Sequence, residues 1–315
     1  MPAKVFLSKL SAFLPFFASL ALFIFTNQGV FSQAASPFGE NNPVATQDSL
    51  HKLAMRIIEP DNDAGRLENN TIFMEALRKA MLADTNLAQS FDSVRTVSFL
   101  RSPNGSFRIA TWYVPLINGR FKYFGFVQTP ATALNPAMLF KLTDMTPLLS
   151  QISGRELDKD QWYGAYYYEL VHIKRRRKDY YTLLGWKGDN PQSRIRVIEP
   201  FRITEQGPIF GAQVFEAGDQ KPFRIIFEYS ARVSMSLKYH PDFPVRRRKT
   251  RQIIVFDRLT PTHESLMGNF KFYVPEVNVF DGFEFENGRW VFVNDVDGRV
   301  VIDPSKVPLN PVLPR

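Results

Sequence analysis

The sequence contains no cysteine and only four histidines among its 315 residues. The absence of cysteine excludes a disulfide framework, a thiolate nucleophile, a cysteine metal site and the lipid anchor of a bacterial lipoprotein. The histidines stand singly, so none of them belongs to a metal-binding or catalytic motif. They are His51, His172, His240 and His263. We therefore expect no cofactor and no metal site, and the sequence leaves any catalytic residues unknown.

No apolar run is long enough for a confident transmembrane span, which needs about 20 residues. The longest run, Leu10–Phe25, follows Lys4 and Lys9 and precedes the small residues Ser32 and Ala34. This order is typical of a secretory signal peptide. The sequence thus predicts cleavage after Ala34, no integral membrane span afterwards, and export to the periplasm or the cell exterior. Since an exported eukaryotic chain of this size would more often contain disulfides, a Gram-negative bacterium is favoured.

Positive charge exceeds negative charge, with a formal net charge of +8 at pH 7. Much of the excess lies in two runs, Lys174–Lys178 and Arg246–Lys249, the second followed by Arg251. In a cytosolic protein such runs would suggest nucleic-acid binding, but the predicted export argues against that partner. Lipid phosphate, lipopolysaccharide or an acidic glycan fits an exported protein better. The alternative is that both runs are solvated hairpin tips that hinder edge-to-edge association.

Helical periodicity is confined to the N-terminal part of the predicted mature chain. The first predicted helix covers residues 50–57 and ends before a proline. The second spans Thr71–Ala83, with Asn70 as its N-cap. We assign residues 35–93 to a polar lead-in and a small helical subdomain.

From Val94 onward, apolar and polar residues alternate as in antiparallel strands. Asn118-Gly119 and Asn287-Gly288 each separate two such segments, and Asn-Gly is the strongest short signal for a β-hairpin. Around Asn287-Gly288 the alternation predicts one shared face for four aromatic residues. These are Phe283, Phe285, Trp290 and Phe292. The sequence therefore predicts an all-β domain over residues 94–302, followed by a Pro-rich tail at 303–315.

The short connections predict an antiparallel meander rather than a Greek key. Consecutive groups of strands would form propeller-like blades, and residues 94–142 fit one blade well. Residues 162–215 and 223–274 fit two further blades less well. No common signature recurs in each group, so a β-sandwich or a large twisted barrel is the alternative architecture.

Six aromatic-rich segments carry a resemblance to a known group of proteins. They are Trp162–Tyr168, Tyr180–Gly188, Phe210–Ala212, Phe227–Ala231, Ile254–Pro261 and Tyr273–Pro275. In these segments the chain resembles a family of secreted, uncharacterised proteins of Bacteroidota, from the second helix to the last hairpin. No activity, cofactor or catalytic residue is assigned to that family. The resemblance therefore implies export and a Gram-negative envelope, and nothing about chemistry.

Catalytic motifs are missing, including the G-x-S-x-G elbow, a phosphate-binding glycine loop and H-E-x-x-H. Four carboxylates fall in or beside predicted strands: Glu169, Glu228, Asp257 and Glu284. Two such acids facing each other across a cleft would suffice for glycoside hydrolysis. A glycan hydrolase is therefore the alternative function.

The function that the sequence favours is that of a non-enzymatic exported binding or structural protein with an aromatic and basic surface. Alternation places Trp162, Tyr166 and Tyr168 on one face of a strand that leads to the Lys174–Lys178 run. Such rings serve recognition surfaces, although they also pack well in a core. The predicted partner is an anionic glycan, lipopolysaccharide or an envelope protein. The predicted binding residues are Trp162, Tyr166, Tyr168, Lys174, Arg175, Arg176, Arg177 and Lys178.

Overall fold

The computed structural model describes residues 45–149, 152–188, 190–219, 221–246 and 249–297. The predicted signal peptide at 1–34 and the predicted tail at 303–315 lie outside these residues. Arg247 and Arg248 of the second basic run also lie outside them.

Two helices open the described chain, α1 at Gln47–Arg56 and α2 at Asp63–Ala83. The Asn62 side chain caps α2 by accepting a hydrogen bond from the Gly65 N–H at 2.8 Å. The prediction that Asn70 is the N-cap is therefore wrong. Asn70 is buried inside α2, where its side-chain oxygen accepts from the Trp112 indole N–H at 2.7 Å. Within the described residues, no helix is both long and apolar enough to cross a membrane.

In the described part of the chain, fifteen strands follow the helices, in agreement with the predicted mainly β class. The bounds are β1 Ser98–Arg101, β2 Arg108–Pro115, β3 Phe121–Thr129, β4 Met138–Thr143, β5 Leu157–Asp158, β6 Tyr166–Arg175, β7 Lys178–Gly188, β8 Ser193–Thr204, β9 Gly207–Phe210, β10 Phe215–Glu216, β11 Ile225–Ser230, β12 Leu237–Arg246, β13 Lys249–Pro261, β14 Tyr273–Glu286 and β15 Arg289–Val293. Short 3₁₀ helices occur at Thr146–Leu148, Ile152–Gly154, Glu264–Leu266 and Phe270–Phe272.

The strands form three sheets that are antiparallel apart from one parallel pair. The first sheet has the order β1-β2-β3-β4, and the second has the order β5-β9-β8-β7-β6 with β11 beside the first half of β8. The third sheet has the order β10-β15-β14-β13-β12, in which β10 and β15 are the parallel pair.

The sheets are stacked in layers through separate hydrophobic clusters. Leu50 and Phe73 of the helices pack with Trp112 on one face of the first sheet, while Ile109 on the other face packs against the second sheet. Leu183 and Leu184, neighbours in β7, belong to the clusters on opposite sides of the second sheet. The second sheet is therefore buried on both faces, between the first and the third.

This layering is closer to the β-sandwich alternative than to blades around an axis, because the helices cover the outer face of the first sheet. The predicted group at 94–142 corresponds to the first sheet. The predicted groups at 162–215 and 223–274 do not each form one sheet, because two strands are exchanged between the second and third sheets. β10 joins the third sheet, whereas β11, later in the chain, returns to the second. β10 pairs through only two residues, which is too short for a periodicity to reveal.

The β14–β15 hairpin has the predicted turn and the predicted shared face. Phe283 pairs with Phe292 and Phe285 with Trp290, and all four pack in the cluster between the second and third sheets. Both turn residues have positive φ, 50° at Asn287 and 86° at Gly288, as a type I′ turn requires.

We expect Gly288→Val to destabilise the protein by about 2–3 kcal/mol, measured as the free energy of unfolding in urea. A β-branched residue is strained at this φ, and a Cβ would lie 2.7 Å from the Tyr180 hydroxyl. Gly268→Val is the matched control, since Gly268 has φ +82 and no atom within 4 Å of the added Cβ. Equal losses of unfolding free energy in the two variants would show that the contact with Tyr180 costs nothing and that only the backbone strain at positive φ destabilises the protein.

Candidate functional site

The Lys174–Lys178 run is the tip of the β6–β7 hairpin, as the sequence predicts. Arg175 pairs with Lys178, and the two residues between them form the turn. Lys174, Arg176, Arg177 and Lys178 are exposed, and Arg175 is half-buried. The tip therefore presents four cationic side chains to solvent.

The backbone of this turn is unfavourable for the residues that occupy it. Arg176 has φ 48° and Arg177 has φ 65°, the left-handed region that Asn and Gly adopt more easily. Asn287-Gly288 supplies those residue types for the same kind of turn in this chain. Two arginines therefore stand at the tip at a conformational cost of about 1 kcal/mol each.

Contacts with the third sheet hold the base of the tip. The Arg175 guanidinium donates to the Asn287 side-chain oxygen at 2.8 Å, and the Lys178 ammonium lies 5.1 Å from the centre of the Tyr180 ring. The Tyr180 ring in turn packs edge-on against Phe285 at 5.2 Å. No local sequence pattern connects Arg175 with Asn287, which lies 112 residues further along the chain.

Tips from all three sheets emerge at the same end of the stack. The Asn104 amide of the β1–β2 turn donates to the Tyr181 hydroxyl at 2.6 Å, next to the β6–β7 tip. In the third sheet, Ile253 pairs with Glu284, so the β12–β13 tip and the β14–β15 tip point in one direction. Arg246 and Lys249 of the second basic run are the last pair of that β12–β13 hairpin. We call the Lys174–Lys178 tip together with this Arg246–Lys249 pair the basic end.

Few acids neutralise the tip of the β6–β7 hairpin. Among the described residues, Lys174, Arg176, Arg177 and Lys178 take part in no ion pair. The adjacent Asp179 carboxylate is bound by the His172 ring at 2.6 Å. Two further cations of this end are paired: the Arg251 guanidinium lies 2.9 Å from the Glu284 carboxylate, and the Arg289 guanidinium lies 2.7 Å from the Glu216 carboxylate. Of the residues that the structure describes, the unpaired charge of this end thus lies on the β6–β7 tip and on Lys249.

The predicted aromatic strip does not form an exposed face. Trp162 precedes β6 in the chain and is fully buried. Its indole N–H donates to the Tyr167 hydroxyl at 3.0 Å. Tyr166 is half-buried, with its ring 5.8 Å from that of Tyr113 in the first sheet. The Tyr168 hydroxyl instead donates to the Leu237 carbonyl of the third sheet at 2.9 Å.

A β-bulge explains this separation. The pairing of β6 with β7 shifts register between Tyr167 and Glu169, so Tyr168 is an extra residue and the alternation is interrupted. A strictly alternating strand would place Tyr166 and Tyr168 on one face, whereas the bulge directs them to different layers. Tyr166 and Tyr168 therefore fill the cores on opposite sides of the second sheet, at the end of β6 that is away from the tip.

The four candidate carboxylates lie in different surroundings. Glu169 accepts from the Tyr239 N–H at 3.4 Å, and burial raises its pKa to about 7. Asp257 accepts from the Ser236 N–H at 2.7 Å, and burial raises its pKa as well. Glu228 lines one cleft, and Glu284 lines another while paired with Arg251. Neither of these two clefts contains two of the four acids, although Asp242 also lines the cleft of Glu284.

Compared with known proteins, the chain matches no family model, and no curated protein or solved structure is detectably similar to it. The function must therefore be argued from the described residues themselves.

Proposed function

We propose that this chain is an exported, non-enzymatic binding protein that attaches through its basic end to an anionic polymer of the cell envelope, such as lipopolysaccharide or an acidic glycan. One observation carries the proposal. Arg176 and Arg177 occupy a turn at positive φ, where other residues would be more stable. Residues held in unfavourable conformations often mark functional sites, because selection for function offsets their cost.

The chemistry of the tip suits phosphate and carboxylate groups. A guanidinium presents a rigid fork of N–H donors that matches both anions in a bidentate manner. Each exposed ion pair contributes little by itself, about 0–1 kcal/mol. Useful affinity therefore requires many contacts at once, which a polymer with repeated anionic groups supplies and a single small anion does not.

Export is a separate part of the proposal and rests on the sequence. The signal-like segment at 1–34 and the absence of cysteine support it. In that compartment, anionic envelope polymers are more accessible than nucleic acids, which we do not expect as partners.

Replacing Arg176 by Asn and Arg177 by Gly in one variant tests the tip directly. We expect the free energy of unfolding of this variant to be about 1–2 kcal/mol higher than that of the wild type, because the strain of the turn is removed. We also expect roughly tenfold weaker binding to anionic vesicles or lipopolysaccharide at low ionic strength, with a smaller dependence on salt. Urea unfolding and vesicle co-sedimentation measure the two effects.

A charge-matched control distinguishes the tip from net charge alone. Lys122 and Lys141 are exposed residues of the first sheet, and changing both to Gln removes the same charge elsewhere. This control should keep nearly full binding. Unchanged binding by the Arg176→Asn, Arg177→Gly variant, or an equal loss in the control, would rule out the tip as the binding site.

A further inference from the structure

A second surface lies at the end of the stack opposite to the basic end. It is a cleft of about 570 Å³ to which all three sheets contribute. Its walls come from the β2–β3 turn at Arg120, the β7–β8 connection at 190–192, Glu228 of β11 and the β13–β14 connection at 268–271. The volume is within the usual range for small-ligand sites.

The walls of this cleft are held by contacts outside the cleft itself. Pro191 packs so closely on the β2–β3 turn that a Cβ on Gly119 would lie 3.0 Å from its ring. The Ala231 N–H donates to the Gln192 carbonyl at 2.8 Å, and the Gly268 N–H donates to the Tyr273 hydroxyl at 3.1 Å. A ligand would therefore meet backbone that is already fixed, which lowers the entropic cost of binding.

Four polar side chains line the cleft without partners of their own. Within the described chain, the side chains of Arg120, Gln192, Glu228 and Asn269 form no hydrogen bond or ion pair. They carry a guanidinium, two amides and a carboxylate. All four groups are planar and offer two neighbouring hydrogen-bonding atoms, the arrangement that binds adjacent hydroxyls of a sugar.

Phe270 adds an apolar surface to this polar set. Its side chain is 49% exposed, and its ring is packed against Tyr273 with the centroids 5.0 Å apart. An exposed ring fixed beside planar polar groups is suited to a ligand that has an apolar C–H face and polar edges. A pyranose ring has this form.

We propose that this cleft binds a neutral oligosaccharide. The lining carries two cations, Arg120 and Lys271, against the Glu228 carboxylate, so most of its charge is balanced and an anion would also meet a carboxylate. The Lys271 ammonium lies 5.3 Å from the centre of the Phe272 ring. This site is independent of the proposed function, since it involves no residue of the basic end.

The test uses cellohexaose, maltohexaose and chitohexaose as probes, each titrated to about 10 mM and followed by NMR, a range that detects the weak affinity of an open cleft. We expect at least one of them to shift the resonances of residues 268–271. We expect Phe270→Ala to weaken that binding at least tenfold, and Glu228→Gln to weaken it about fivefold.

Matched controls keep the outcome interpretable. Met267→Ser alters a neighbouring residue that is 74% exposed and does not line the cleft, so it should bind as the wild type does. The Arg176→Asn, Arg177→Gly variant should also bind these sugars normally. The proposal is overturned if none of the three sugars binds, if Phe270→Ala binds as well as Met267→Ser, or if only polyanions shift these resonances.

Discussion

Replacing Arg224 with methionine should destabilise the protein by about 3–5 kcal/mol, because it leaves a buried carboxylate without its partner. The side chains of Arg224 and Glu199 are both 0% exposed, and the Arg224 Nε lies 2.6 Å from a Glu199 oxygen. The other Glu199 oxygen accepts from the Tyr167 hydroxyl. Arg224 also donates to the carbonyls of Phe210 and Arg155, each at 3.1 Å. Removing the guanidinium therefore leaves several buried polar groups without a hydrogen-bond partner.

An exposed ion pair of similar geometry provides the comparison. Arg202 makes two bonds to Glu156, at 2.7 and 2.8 Å, with both side chains largely in solvent. Arg202→Met should cost less than about 1 kcal/mol. The double variant Glu199→Leu, Arg224→Met should recover part of the loss, since no unpaired charge remains. If Arg224→Met cost no more than Arg202→Met in urea unfolding, the buried pair would not stabilise the core.

Replacing Glu169 with glutamine should change how stability depends on pH. Burial between the second and third sheets raises the pKa of Glu169 from 4.5 to about 7. The folded state therefore favours the protonated form, and stability falls as the pH rises from about 4.5 to about 7. The shift corresponds to a loss of up to about 3 kcal/mol. Glu169→Gln should remove this loss, so the variant should exceed the wild type above pH 7 and differ little near pH 4.5.

Because neighbouring groups also titrate or interact with Glu169, Glu169→Gln should remove only a part of the pH dependence of stability. Lys238 lowers the pKa of Glu169, and Asp257 has a raised pKa of its own that the variant retains. Urea unfolding at pH 4.5, 6 and 8 measures the difference, with Glu205→Gln on the exposed β8–β9 turn as a control that should change stability by less than about 0.5 kcal/mol. Parallel pH profiles for wild type and Glu169→Gln would contradict a buried, titrating Glu169.

The two proposed surfaces have separate consequences for function. The basic end would bind anionic groups through exposed cations, and salt would weaken that binding. The cleft would bind hydroxyl-rich sugars through planar groups and one ring, and salt would affect that binding little. Because the surfaces lie at opposite ends of the stack, a chain that uses both would connect two envelope polymers.

Local chemistry explains what the sequence could predict. Asn287-Gly288 forms the expected turn because positive φ is easy for those residues. The Lys174–Lys178 tip follows from charge, since five adjacent cations cannot be buried without partners. The mainly β class follows from the two-residue period of the strands. Each of these features depends on a residue and its immediate neighbours.

Only the tertiary structure decided which surfaces these elements build. The bulge at Tyr168 and the burial of Trp162 arise from packing between sheets, which turns a predicted recognition strip into core. From its residue type alone, Asn70 is predicted to be a helix cap. In the structure its side chain instead accepts a hydrogen bond from the indole of Trp112, which lies in another element. The shared end of the Lys174–Lys178 tip and the Arg246–Lys249 pair, like the cleft beside Glu228, requires the three sheets to be stacked in register. Sheet stacking is set by burial of whole faces between residues far apart in the chain, and no local pattern encodes it.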